Sequence, residues 1–156
     1  MDELTTMRAE RAIRRRLLDY CRGIDRCDAA LVASVYFDDA TDDHGGFTGL
    51  GVDFARYATE RLRQHAESTQ HVIGDSIIDF DDERTAQVET PVLAVHRCVA
   101  ADGPYLERFG GRYLDTFECR DGDWRISRRV LTWDWDAKER VEPAFPAGRF
   151  TPSPRG

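Results

Sequence analysis

Asp25 and His71 are the residues of this chain best suited to do chemistry together. Asp25 follows an amphipathic N-terminal stretch, and His71 opens the apolar run Gln70-His71-Val72-Ile73. A carboxylate that holds an imidazole selects its tautomer and stabilises the imidazolium formed on proton uptake, so the pair would make a general base working near neutral pH. Tyr20 lies on the apolar stripe leading to Asp25. A half-buried tyrosine keeps a hydroxyl that needs a partner, and it can donate to an oxygen of a bound molecule. Arg129 is in phase with Leu131 and Trp133. A guanidinium among apolar neighbours requires a partner, either Asp25, another carboxylate or an anionic group of a ligand. Arg128 takes that place if the register slips by one residue. His96, in phase with Val92 and Ala94, and Trp133 are expected to line a pocket and touch substrate, with Trp135 facing the same way as Trp133. His44 sits in a polar loop and His65 at the exposed end of a helix.

The elements that must position these groups can be read from periodicity. Residues 4 to about 24 carry Ile13, Leu17, Tyr20, Cys21 and Ile24 at helical spacing. Asp28 is placed to cap a second short helix running through Tyr36, with Leu31, Val32 and Val35 inward. A polar, glycine-bearing hairpin-like segment spans residues 37–47, and a third helix spans about 51–66 with Phe54, Tyr57, Ala58 and Leu62 on one face. Four strand-like runs follow at 70–80, 85–99, 105–119 and 124–135, separated by short turn signals such as Arg120-Asp121-Gly122-Asp123. Short loops imply antiparallel neighbours, and runs this long imply a strongly curved sheet. Bends are expected at Gly74, Pro91 and Gly110-Gly111. The expected fold class is α+β, a cone-shaped barrel in which three N-terminal helices pack on the concave side of a curved antiparallel sheet. The pocket between those layers suits a small molecule. Residues 1–141 form this domain, and residues 142–156 read as a proline-rich tail.

Composition removes several classes of function. The chain has 156 residues, a net charge of −7, 41% hydrophobic and 33% charged residues, as in one soluble globular domain. An acidic chain repels polyanions, so nucleic acid is not an expected partner. Arg14-Arg15-Arg16 is the one basic run and reads as a solvated helix face. Cys21, Cys27, Cys98 and Cys119 show no zinc spacing and read as free thiols in a reducing cytoplasm. No apolar run is long enough to span a bilayer, and no leader is evident, so a cytoplasmic location is expected. The Asp42-Asp43-His44 cluster carries metal-capable side chains, but a metal site takes ligands fixed from several elements, and none is expected. Neither a phosphate loop nor a dinucleotide fingerprint is present, and no cofactor is expected.

The order of the elements, with Leu18-Asp19-Tyr20, Asp25-Arg26, Asp28, Phe37-Asp38-Asp39-Ala40, Gln70-His71-Val72-Ile73 and Asp121-Gly122-Asp123-Trp124-Arg125-Ile126, resembles the SnoaL-like proteins of the nuclear transport factor 2-like superfamily. The likeness covers about residues 5–136. Within the superfamily it resembles the branch holding scytalone dehydratase, bile acid 7α-dehydratase and hexachlorocyclohexane dehydrochlorinase. That resemblance implies an Asp–His pair at Asp25 and His71 and a last-strand arginine at Arg129. Five residues before Asp25 the chain has Tyr20, as the dehydratases do in that neighbourhood, where the dehydrochlorinase has lysine. It therefore implies a cofactor-independent lyase, a dehydratase of a small hydrophobic cyclic or polyketide-like substrate, in which Tyr20 and Arg129 stabilise the enolate oxygen or the leaving hydroxyl. The same superfamily also holds isomerases and aldol-type cyclases with such a base, and non-catalytic assembly subunits. Its members are trimers or dimers, so a homo-oligomer is expected.

Overall fold

The computed structural model describes residues 1–142 and 144. Helix α1 (Glu3–Asp25) starts where Asp2 accepts from the Thr5 N–H and turns Ile13, Leu17, Tyr20 and Ile24 into the core. Helix α2 (Ala29–Ala33) is capped by Asp28, as its spacing predicts, but ends before Val35, and Tyr36 already belongs to a strand. Between the two helices Cys27 takes φ 51, a left-handed turn that few side chains adopt cheaply. Gly23 lets α2 approach: a Cβ there would stand 2.7 Å from Val32 Cγ2. Strands β1 (Tyr36–Asp43) and β2 (Thr48–Leu50) form the expected hairpin, and α3 (Gly51–His65) follows directly.

The remaining strands are β3 (Ala66–Ile73), β4 (Ile77–Phe80), β5 (Thr85–Ala100), β6 (Gly103–Arg120) and β7 (Asp123–Arg140). They build one curved, unclosed seven-stranded sheet in the order β2-β1-β7-β6-β5-β3, with β4 also paired to β5. The α+β cone with three helices is thus as expected. Three details differ. The run 70–80 is two strands, because the chain breaks at Gly74-Asp75-Ser76. The sheet is not wholly antiparallel, since β1 lies parallel to β7. Pro91 causes no bulge: β5 and β6 pair through Pro91↔Arg112 without a shift. The Pro91 carbonyl accepts from Gly74 at the gap between β3 and β4, so the missing N–H faces a place where no strand needs it.

Two irregularities in β7 decide which of its side chains face inward. Pairing with β6 steps from Thr116↔Arg128 to Phe117↔Ile126, leaving Ser127 as the extra residue. Trp124 and Ile126 are inward before it, and Arg129 and Leu131 are inward after it. A second step, from Gly110↔Trp135 to Gly111↔Trp133, makes Asp134 extra at the expected glycine pair. It puts Trp135 on the opposite face from Trp133, correcting the expectation that they point the same way. Trp135 lies across Gly110, where a Cβ would meet its Nε1 at 2.4 Å.

The three consecutive arginines Arg14, Arg15 and Arg16 of α1 do point in different directions, but none is merely solvated. Arg14 pairs with Asp75, Arg15 with Asp19, and Arg16 ties α1 to β7 through Asp123 at 2.6 Å and the Trp124 carbonyl at 3.1 Å. The four cysteines are free, three of them buried. Among the described residues no helix is long and apolar enough to cross a membrane. The proline-rich tail lies almost wholly outside the described residues.

Candidate active site

The sheet curves around a cavity of about 480 Å³ that opens between the helices and the inner faces of β5, β6 and β7. Its wall is mostly apolar and aromatic, including Phe54, Phe109 and Leu131, with a few convergent polar groups. This is the usual character of a small-molecule site.

Asp25 is the last residue of α1, and the helix end lies over β3. Because β3 is the edge of the sheet, the outward N–H of His71 has no strand partner, and Asp25 Oδ2 accepts it at 3.1 Å. The other carboxylate oxygen, Oδ1, stands 2.8 Å from His71 Nδ1. Both oxygens therefore hold one residue. Nδ1–H is the tautomer that this contact selects, which leaves the lone pair on Nε2 of a ring that lines the cavity. The His71 side chain is only 7% exposed.

His96, on β5, lies beside it, with ring centroids 5.6 Å apart. Burial, with smaller contributions from His71 and Arg61, pushes the His96 imidazole down to about 4. It is neutral at pH 7, and among the described residues its buried Nε2 has no hydrogen-bond partner. Trp133 also lines the cavity, its ring tilted against Phe109 with centroids 4.5 Å apart.

Tyr20 reaches the cavity from α1. Burial pushes its hydroxyl above the ordinary value, while Arg129 pulls the other way. Arg129 faces inward as the expected register requires, so the fallback to Arg128 is not needed, but it does not line the cavity. It is wholly buried and grips Asp115 with two bonds of 2.7 Å, from Nε and Nη2. Its guanidinium carbon sits 4.2 Å from the Tyr20 ring centre and 4.0 Å from that of Tyr113. The expectation that Arg129 touches substrate is therefore corrected: the tyrosine rings stand between it and the cavity. A bidentate carboxylate partner, invisible in the one-dimensional pattern, keeps the charge inside.

The residue that sequence reasoning passed over is His44. It is placed after β1, yet it turns into the cavity and stacks on Phe54 with ring centroids 3.9 Å apart. Its Nδ1 contacts Asp42 Oδ1, and its Nε2 stands 3.2 Å from the Tyr20 hydroxyl. Asp42, 1% exposed, accepts from the Tyr36 hydroxyl at 2.7 Å with its other oxygen. The available signal was the alternation of Ala40, Asp42 and His44, which puts all three on one face of β1 and its extension. Among the described residues no three His, Cys, Asp or Glu side chains stand where they could hold one ion.

The chain belongs to the SnoaL-like domain family, whose model matches residues 5–130. Among solved structures it is similar to a scytalone dehydratase-like protein from Novosphingobium aromaticivorans, at 29% identity and TM-score 0.76, covering 93% of this chain and 97% of that one. It is also similar to a type 2 hexachlorocyclohexane dehydrochlorinase (21% identity, TM-score 0.83, 94% and 99% covered). A type 3 dehydrochlorinase from Novosphingobium barchaimii gives 20% identity, TM-score 0.79, and 91% and 100% covered. At these last identities the likeness concerns the fold. Among curated proteins none matches the chain in sequence.

Proposed function

We propose that this protein is a cofactor-independent lyase, a dehydratase that removes water from a small hydrophobic cyclic or polyketide-like hydroxyketone. The observation that carries the reading is the two-point grip of Asp25 on His71 at the wall of an apolar cavity. Structural neighbours that include a dehydratase-like protein and dehydrochlorinases support a lyase-type enzyme.

In this mechanism His71 Nε2 takes a proton from the carbon next to a carbonyl, and Asp25 balances the imidazolium that forms. A positioned base contributes about 10²–10⁴-fold. His96, held neutral, hydrogen-bonds the carbonyl oxygen with Nε2, which has no partner among the described residues. Tyr20 donates to the oxygen that leaves. Trp133 and Phe109 pack on the ring of the substrate, and the apolar wall keeps bulk water from the enolate.

The test is turnover of β-hydroxytetralone, which becomes fluorescent naphthol when it loses water. The wild type is expected to form naphthol, and His71→Ala to lose that activity while keeping its circular dichroism. Turnover by His71→Ala at near the wild-type rate would sink the assignment. Product mass separates water loss from isomerisation or ring closure by the same base.

A further inference from the structure

We propose that Asp42 and His44 form a second proton-handling pair on the wall of the same cavity, delivering a proton through the Tyr20 hydroxyl to the oxygen that leaves the substrate. This rests on the lyase reading above. The two pairs come from opposite sides of the sheet, His71 from the edge strand β3 and His44 from just after β1, second from the other edge.

The hydrogen-bond polarity makes His44 a switch for Tyr20. When His44 is neutral, its Nδ1–H points to Asp42 and its bare Nε2 must accept, so the Tyr20 hydroxyl donates to His44 and not to a ligand. When His44 is protonated, Nε2–H donates to the Tyr20 oxygen, and the tyrosine proton is free to point into the cavity. In the elimination, His71 takes the carbon-bound proton and that electron pair becomes the new double bond. The C–O bond breaks with its electrons on oxygen. That oxygen takes the Tyr20 proton, Tyr20 takes the Nε2 proton of His44, and water departs. His71 ends protonated and His44 neutral; exchange with solvent resets both.

The surroundings explain why a proton can reside there. The groups facing His44 are Asp42 from β1, itself bonded by Tyr36, Tyr20 from α1, Tyr113 and Asp115 from β6, and Arg129 from β7; α3 contributes the apolar ring of Phe54. The buried cluster holds two carboxylates, Asp42 and Asp115, and one guanidinium, Arg129 paired to Asp115, so an imidazolium at His44 against Asp42 balances the formal charge. Burial pushes His44 below its ordinary 6.5, and the bond and charge of Asp42 oppose that. The charged form is therefore populated on the acid side. The rate with a hydroxyl leaving group should fall as pH rises through the pKa of His44.

Leaving-group chemistry separates this role from a structural one. Hydroxide needs a proton to depart, whereas acetate does not, so β-hydroxytetralone and β-acetoxytetralone test the acid and the base separately. His44→Gln and the near-isosteric Asp42→Asn are expected to slow water loss by about 10²–10⁴-fold while acetate loss stays within about threefold, and to abolish the alkaline fall of the hydroxyl reaction. Equal losses on both substrates, or no loss on either, would overturn the proposal. If the wild type converts neither substrate, the lyase reading fails, and nitrogen NMR of the ligand-free protein judges the pair separately. His44 should then keep Nδ1 protonated throughout, and its Nε2 titration should move in Tyr20→Phe. A His44 that titrates identically in wild type, Tyr20→Phe and Asp42→Asn would refute the relay.

Discussion

Replacing Arg129 with methionine should cost this protein much of its stability, and the structure says how much. Arg129 and Asp115 are both fully buried, and two 2.7 Å bonds join them. Removing the guanidinium leaves a carboxylate that no water reaches. Breaking a buried pair from one side costs about 3–5 kcal/mol. The guanidinium also lies against the rings of Tyr20 and Tyr113, contacts each of the order of 0.5–2 kcal/mol that overlap with the first figure and do not simply add. A domain of this size has roughly 5–15 kcal/mol in total. With an m-value of about 2 kcal/mol per molar, the urea midpoint should fall by about 2 M. Intrinsic fluorescence reports the transition, because Trp124 is in the core. The double variant Arg129→Met/Asp115→Leu should recover most of the loss, since replacing a buried pair by apolar residues of similar volume is often neutral. An arginine used to hold substrate would behave differently: the single variant would keep its midpoint and lose only turnover. A loss below about 1 kcal/mol in the single variant, or a double variant no better than the single one, would refute the structural role assigned here.

Other outcomes follow from the same geometry. Asp25→Asn keeps the shape of the contact but offers an amide N–H to one of two donors on His71 and no charge to the imidazolium; naphthol formation should drop by about 10²–10⁴-fold with little change in melting temperature. Gly23→Ala places a methyl 2.7 Å from Val32 Cγ2 and 3.0 Å from the Val32 backbone nitrogen, so α1 and α2 must separate, at a cost of about 1–3 kcal/mol in urea unfolding. His96 is depressed to about 4 in the folded state from 6.5, so between those values the unfolded chain binds more protons and stability falls as pH is lowered. In His96→Gln that part of the acid loss should vanish; an unchanged slope of urea midpoint against pH would contradict the burial of the imidazole.

Much of the frame was legible because local patterns and global fold agree. Ile13, Leu17, Tyr20 and Ile24 recur at helical spacing and all are buried. The Asp121-Gly122 turn takes φ of 54 and 81, the left-handed pair that a tight hairpin demands. Asp28 caps α2 as its position before an apolar run indicates. Alternation along β5 places Ala86, Val88, Val92 and Ala94 inside. Asp25 and His71 could be paired because a helix end and the start of a strand were both recognisable, and a resemblance in their spacing linked them.

What the sequence by itself determined is therefore local: which segments are helices or strands, which stripe of each is apolar, and which side chains have the chemistry to act. Only the tertiary structure decided where polar side chains point across the sheet. The bulge at Ser127 moved the inward phase of β7 onto Arg129, and the one at Asp134 separated Trp133 from Trp135. Parallel pairing of β1 with β7 brought Asp42 and His44 against Tyr20, across more than twenty residues of chain. Asp115 claimed Arg129 before any ligand could. Such choices depend on one-residue changes of register and on which opposite charge lies nearest in space, and neither leaves a periodic trace along the chain.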